Sequence, residues 1–246
     1  MDNLILYSTE LNKTRIGSTH DGGYVTVNLP GGYDLFISGG IAGNIQFEEH
    51  FLKLNPDILC YAFDGTIKSL PKCRTDKINF IKKNLGDHNS DNLTTLCEYM
   101  DGFNNLFMKI DIEGHEFRVM PKIIENNYMK KIKQLVIEIH SPADIHLYPN
   151  YFKGLGDVQN NHMFDLVKKI NETHTLVHFH ANNGCKMTTI DGCKIPHVFE
   201  LTYVRSDIIP KNVKNTQPLP TKLDSKNAPN KPDYVFDSYP YVNKDS

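Results

Sequence analysis

Tryptophan is absent from this chain of 246 residues, and net charge nearly so, at −2 with 27 Lys and Arg against 29 Asp and Glu. Lacking a basic field, no face is equipped to grip nucleic acid, and nucleic acid is not expected as a partner. No run of about 18 apolar residues occurs, so neither a membrane-spanning helix nor a membrane partner is expected. The first residues, MDNLILYSTELNKT, have neither a basic n-region nor an apolar h-region, and no signal peptide is expected there. The 5 cysteines are too few and too odd in number for a disulfide framework, which points to reduced thiols and a cytoplasmic location. No glycine-rich turn closes in Gly-Lys-Ser/Thr, which argues against a phosphate-loop nucleoside triphosphatase. Internal repeats are missing too.

What is present suffices for a globular core, with 39% hydrophobic and 10% aromatic residues. From residue 34 short apolar runs alternate with amphipathic segments. YDLFISGG, DILCYAFD, KINFIKKNLGDH, NLFMKID and KKIKQLVIEIH read as buried strands. NIQFEEHFLKLN reads as a helix, as does DNLTTLCEYM with Asp91 as its N-cap. HEFRVMPKIIENNYMKK reads as a helix bent or restarted at Pro121. This rhythm predicts right-handed crossovers and a mostly parallel sheet covered on both faces. The segment SPADIHLYPNYFKGLGDVQNN, with Tyr148, Tyr151 and Phe152, is expected to form a lid or to pack down. HMFDLVKKI resumes a helix, and HTLVHFHAN and HVFELTYVR predict a last antiparallel pair. Residues 1–205 are expected to form one α/β domain, with 1–30 packed on it as an extension. The Pro-rich remainder, 206–246, is expected to lie on the surface or stay partly disordered.

In an open parallel sheet, ligands bind beyond the carboxyl ends of the strands. Each of the first five predicted strands delivers glycine or a polar group there. The first ends in Gly39 and Gly40, followed by Gly43 and Asn44, and the second in Asp64. Asp87 follows the third, Asp111 and Glu113 the fourth, and Glu138 and His140 close the fifth. Asp64 lies about 20 residues past the glycines, where an acid accepts from both ribose hydroxyls of an adenine nucleotide; its alternative is to cap the local turn. Asp87 meets either an adenine amino group or only its own turn. A glycine loop with a ribose acid fits NAD(P) or S-adenosylmethionine. The order Gly-Gly-x-x-Gly departs from the dinucleotide fingerprint, and a methyl donor carries no pyrophosphate, so the pattern tilts toward S-adenosylmethionine.

Taken together, RIGSTHDGGYVTVN, FISGGIAGNIQFEE, YAFDGTI, FMKIDIEGHEFRVM, LVIEIH and HFHANN…IPHVFELTYVR resemble the FkbM-type S-adenosylmethionine-dependent methyltransferases. The resemblance runs from about Arg15 to Arg205 and is most specific at Lys109–Glu116. His115 departs from it, standing where the family has a small residue. It implies a Rossmann-like class I methyltransferase sheet of seven strands with the last antiparallel, and methyl transfer to oxygen. A small-molecule hydroxyl, with a sugar (nucleotide sugar or glycan) preferred, is the implied acceptor. It also implies that His180, Asn182 and Asn183 face the acceptor.

Displacement at a sulfonium requires an aligned oxygen and removal of its proton. Asp111 is the first candidate for that role and His140 the second. Lys109, Asp111 and Glu113 alternate along one strand side. Lys109 is either catalytic or an electrostatic offset for the acids, and Glu113 and Glu116 also suit the N-terminus of the next helix. Glu138 stands where it can bind acceptor. A divalent cation held by Asp111, Glu138 and His140 is a variant of the same site. His178, His180, Cys185, Cys193 and His197 are zinc-type residues without a zinc-knuckle spacing. Two other readings compete: an NAD(P)-dependent oxidoreductase, weakened by the absence of a Tyr-x-x-x-Lys pair, and a non-catalytic nucleotide-binding module of the same fold.

Overall fold

The structure, a computed structural model, describes residues 1–244. In chain order the elements are β1 (Lys13–Gly17), β2 (Gly23–Val27), β3 (Leu35–Gly39), α1 (Gln46–Leu54), β4 (Cys60–Phe63), β5 (Ile78–Ile81), β6 (Asn84–Leu85), β7 (Leu93–Thr94) and β8 (Leu106–Ile110). There follow α2 (Glu116–Glu125), β9 (Ile132–His140), α3 (Pro142–Leu147), α4 (Asn160–Asn171), β10 (His174–Ala181), β11 (Met187–Ile190), β12 (Cys193–Pro196) and β13 (Val198–Arg205). The main sheet has seven strands in the order β10-β13-β9-β8-β3-β4-β5. Five are joined by parallel pairing, and β13 runs antiparallel to both β9 and β10. This is the mixed α/β architecture expected from the alternating runs. Its central strands β3, β8 and β9 are buried along their whole length, which is why they read as unbroken apolar stretches.

Odd and even positions of each strand feed two different cores. On one face Phe36, Phe107 and Val136 meet Phe47, Phe51 and Leu52, the apolar stripe of α1. Phe107 sits in an aromatic nest, its ring centroid 4.0 Å from Phe51 and 5.3 Å from Phe36. Truncating such a residue to Ala costs about 3–5 kcal/mol. Further along this face the cover is a β-hairpin, β1–β2. It is stitched down by side chains: the Gln134 amide exchanges two hydrogen bonds with the backbone of Val27 (2.6 and 3.0 Å), and Thr202 Oγ1 donates to the Val25 carbonyl (2.6 Å). The other face buries Leu35, Ile37, Met108, Ile110, Leu135 and Ile137 under α2 and α4.

Three details depart from expectation. The segment 91–100 forms β7 and a single 3-10 turn (Cys97–Tyr99) instead of a helix. Asn89 Oδ1 accepts from the Thr95 N–H and hydroxyl, Thr94 Oγ1 accepts from the Leu96 N–H, and Leu96 is left-handed at φ 69°. Side chains thus take the backbone donors a helix would use. Second, α2 runs through Pro121 as one helix. Third, a small hairpin, β11–β12, fills the connection between β10 and β13.

After Arg205 the chain crosses the β10 edge of the sheet. Leu219, Phe236, Tyr241 and Val242 join the main core, Phe236 meeting Phe179 edge-on at 5.3 Å and Tyr241 tilted against it at 4.3 Å. Leu219 and Phe236 exchange backbone hydrogen bonds (2.9 and 3.0 Å), closing the segment between them into an Ω-loop. Ser246 and its predecessor in the 206–246 segment lie outside the described residues. Among the described residues no helix is long and apolar enough to cross a membrane, and the five cysteines are free.

Candidate functional site

Gly40, Asp64 and Asp111 meet at one rim. The Gly40 N–H donates to the Phe63 carbonyl (2.9 Å), and the Asp111 N–H to the Gly39 carbonyl (3.0 Å), so three strand ends are laced together. Gly40 has φ +77°, and a Cβ there would fall 1.7 Å from the Asp111 carbonyl oxygen, so only glycine fits. Gly39 is buried, a Cβ on it colliding with Leu85 at 2.4 Å, whereas one on Gly43 would meet open space. Asn44 is exposed and its Oδ1 accepts from the Gln46 N–H at the start of α1 (3.0 Å).

Asp64 is 7% exposed and fully engaged. Oδ2 accepts from the N–H groups of Ile41 (3.3 Å) and Ala42 (2.8 Å), and Oδ1 from the N–H and hydroxyl of Thr66 (2.8 and 2.6 Å). Burial pushes its pKa up, but the bonds from Thr66, Ala42 and Ile41 more than offset this and hold it below the ordinary carboxylate value. Asp64 thus caps its own turn and also pins the glycine loop. Asp87 is exposed beside His88, whose Nδ1 lies 2.8 Å away.

At the end of β8, Asp111 Oδ2 accepts from the Tyr24 hydroxyl (2.7 Å) and lies 3.7 Å from Lys109 Nζ. Burial works against the Lys109 charge, but Asp111 and Glu48 outweigh it and raise its pKa. Glu113 adopts φ +56°, a left-handed turn that swings its carboxylate over β9 to within 3.3 Å of His140 Nε2. Glu138 Oε1 is 3.4 Å from the same nitrogen, and Asp144 Oδ2 is 2.9 Å from His140 Nδ1. Burial disfavours a charged imidazole, yet Asp144 and Glu138 overwhelm it and push the His140 pKa far above the usual range. That direction favours the imidazolium form, which lacks the lone pair a general base requires. Burial, with the charge of Asp111 nearby, pushes the Glu138 carboxyl up. Glu116 is enclosed as well, its Oε1 accepting from the His140 N–H (2.9 Å), and burial pushes its pKa up to about 7.

Glu200 faces Glu138 across β13 and His180 across β10. His180 Nδ1 lies 3.4 Å from Glu200 Oε2 and its Nε2 lies 3.8 Å from Asp233 Oδ2. Asn182 closes its own turn, its Oδ1 accepting from the Gly184 N–H (2.9 Å). Asn183 holds the Ω-loop: its Nδ2 donates to the Ala228 and Lys231 carbonyls (3.0 and 3.2 Å) and its Oδ1 accepts from the Ala228 N–H (2.8 Å). Both Asn183 N–H donors and one lone pair of its Oδ1 are thereby taken up within the protein. The loop is further tied by Asp224 to His178 Nε2 (2.8 Å) and by Asn227 to Glu200 and Asp21 (3.1 and 3.2 Å). Of the aromatics between β9 and α4, Phe152 is buried with its ring 5.2 Å from that of His140, while Tyr148 and Tyr151 are exposed.

No group of three or more His, Cys, Asp or Glu among the described residues is arranged to hold a metal ion. Both ring nitrogens of His140 and His180, and Nε2 of His178, face carboxylates at the distances given above. Two concavities lie away from the rim: about 240 Å³ between α2 and α4, and an open groove of about 780 Å³ along α1. Tyr24, Glu48, Asp144, Glu200 and Asn227 are site neighbours that pattern reading passed over. Glu48 carried a signal, since it falls within the apolar stripe of α1 between Phe47 and Phe51.

No family model matches the chain, and no curated protein matches it. Solved structures do. One is a fibrillarin pre-rRNA processing protein of Methanococcus jannaschii, with 11% identity, 72% of this chain and 69% of that one covered, and a TM-score of 0.39. Another is the 16S rRNA methyltransferase KamB, with 10% identity, 79% and 100% covered, and a TM-score of 0.40. A third is an O-methyltransferase family protein from Burkholderia thailandensis, with 12% identity, 70% and 51% covered, and a TM-score of 0.37. The seven-stranded sheet, parallel but for one reversed strand, is Rossmann-like. At these identities and TM-scores the likeness carries no statement about activity or substrate. The two rRNA names do overturn one expectation: nucleic acid is no longer excluded as a partner. That exclusion rested on whole-chain charge, which does not describe the local field at a site.

Proposed function

We propose that the protein is an S-adenosylmethionine-dependent methyltransferase acting on a hydroxyl oxygen, that it belongs with the FkbM-type enzymes it resembles, and that a sugar is its preferred acceptor. The observation that carries this reading is the meeting of Gly40, Asp64 and Asp111 at the carboxyl rim of a seven-stranded sheet with one reversed strand. The donor set fits an adenosyl group: a carboxylate at the end of β4, and a glycine turn open to solvent at Gly43. Asp64 would hold the ribose hydroxyls through Oδ1, exchanging its Thr66 partners for them and keeping the Ile41 and Ala42 N–H groups on Oδ2. Gly40 and Gly43 would let the backbone approach, and Asn44 and Asp87 border the same end. S-adenosylmethionine supplies an electrophilic methyl group on a sulfonium.

Asp111 orients the acceptor hydroxyl and takes its proton, its Oδ2 steadied by the Tyr24 hydroxyl. His140 acts as an imidazolium that offsets the acids around the acceptor. Glu138 and Glu200 are the acceptor's hydrogen-bond partners, with His180 behind Glu200. The exposed Tyr151 and Tyr148 offer faces on which a sugar ring can stack. Titration calorimetry of the purified protein with S-adenosylmethionine and S-adenosylhomocysteine tests the donor. Saturable binding of both is expected, and absence of binding ends the reading. Label transfer from methyl-labelled donor to a panel of glycosides and nucleotide sugars tests the acceptor class.

A further inference from the structure

The peptide joining Gly40 to Ile41 is gripped at both ends by charged side chains. Its carbonyl accepts a hydrogen bond from Lys109 Nζ at 2.9 Å, and its N–H donates to Asp64 Oδ2 at 3.3 Å. The next N–H, of Ala42, reaches the same carboxylate oxygen at 2.8 Å. Lys109 itself is 4% exposed, on a strand buried on both faces. Its ammonium lies 3.7 Å from Asp111 Oδ2 and 4.0 Å from Glu48 Oε1. Ser38 Oγ donates to that same Glu48 oxygen at 2.5 Å, and the other Glu48 oxygen is enclosed without a partner.

Burying an ammonium and a carboxylate together is a weak source of stability, since desolvation consumes most of the Coulombic gain. Apolar side chains in place of both partners would pack the strand as well. What an apolar side chain would not do is hold the Gly40 carbonyl. Freed of that bond, the peptide plane can rotate, and its N–H then leaves Asp64.

We propose that Lys109 is a positioning residue for the methyl donor: it fixes the plane of the Gly40–Ile41 peptide and, through it, the Asp64 carboxylate, without touching the donor itself. Glu48, steadied by Ser38, holds the ammonium in place from the α1 side. This rests on the donor reading above. It places the lysine of the Lys109–Glu116 stretch between the two halves of the site, one bond from the glycine turn and one ion pair from Asp111.

Lys109→Met keeps most of the stem and removes the charge. Its affinity for S-adenosylhomocysteine is measured by titration calorimetry beside the wild type, well below either Tm, and the Tm by scanning calorimetry. Affinity is expected to fall at least about tenfold, and Tm to fall as well because Glu48 is left buried without its counter-charge; the titration, made well below both Tm values, reads the affinity separately. Unchanged affinity overturns the clamp, and a lower Tm with unchanged affinity makes Lys109 a purely structural residue. If Lys109→Met does not fold, Glu48→Gln keeps the Ser38 bond and removes only the counter-charge. It is expected to weaken binding about threefold, and no change overturns the clamp. A wild-type protein that fails to bind S-adenosylhomocysteine removes the donor reading and the clamp's purpose together.

Discussion

The two halves of the rim are built in opposite ways. On the β3–β4 side the chain uses backbone: a glycine turn, strand-end N–H groups, and one carboxylate, Asp64, that gathers them. On the β9–β13–β10 side it uses buried side chains: Glu138, His140, Asp144, Glu200 and His180, roofed by an Ω-loop from the far end of the sequence. Backbone does not titrate and holds one shape for one ligand. Side-chain carboxylates and imidazoles titrate, repel and rearrange, which suits the acceptor binding proposed above for that half.

The largest effect expected at this divide is on chemistry. Asp111→Asn should lower methyl transfer by about 10²–10⁴-fold while leaving S-adenosylhomocysteine affinity within a few-fold, because it removes a proton acceptor and keeps the volume. Equal losses in both would merge the two halves into one.

Next comes pH. The folded-state pKa of Glu116 is raised, from 4.5 to about 7. An acid shifted this way contributes its full share of stability below pH 4.5 and loses it as pH climbs from there through 7, above which the contribution is gone. The difference amounts to about 3 kcal/mol. Glu116→Gln should therefore raise stability above pH 7 and flatten its decline between pH 5 and 8, as followed by urea unfolding at several pH values. An unchanged slope would show that Glu116 ionises freely in the fold.

Asp64→Ala comes third. It should weaken S-adenosylhomocysteine binding by about 30-fold, near 2 kcal/mol, and speed hydrogen exchange at Ile41 and Ala42. Smallest is Asn183→Ala, which should cost about 1–2 kcal/mol and raise exchange across 221–232, with donor affinity unaltered. A loss of donor affinity there would break the division.

The same divide separates what was legible in the sequence from what was not. Strands buried on both faces announce themselves as apolar runs, so β3, β4, β8 and β9 and the polar residues at their ends could be read directly. Gly40 was legible because few residues tolerate φ +77° against a neighbouring carbonyl. His140 was legible at the end of its strand, but its partner Asp144 was not, because that carboxylate sits on the next helix. Asn183 was read as facing the acceptor, whereas its partners lie 45 residues and more along the chain, in a segment whose prolines resemble those of an unstructured tail. Tyr24 reaches Asp111 over 87 residues. Composition has no term for such distances.

The hairpin that carries Tyr24 has its own gauge. Gln134 reads the Val27 backbone with both ends of its amide, as a ladder partner would. A strand advances about 3.3 Å per residue, so a slip of two positions would carry the phenol about 7 Å from Asp111. A glutamine beneath the hairpin, far from any reacting atom, thus works as a vernier for the acid at the rim.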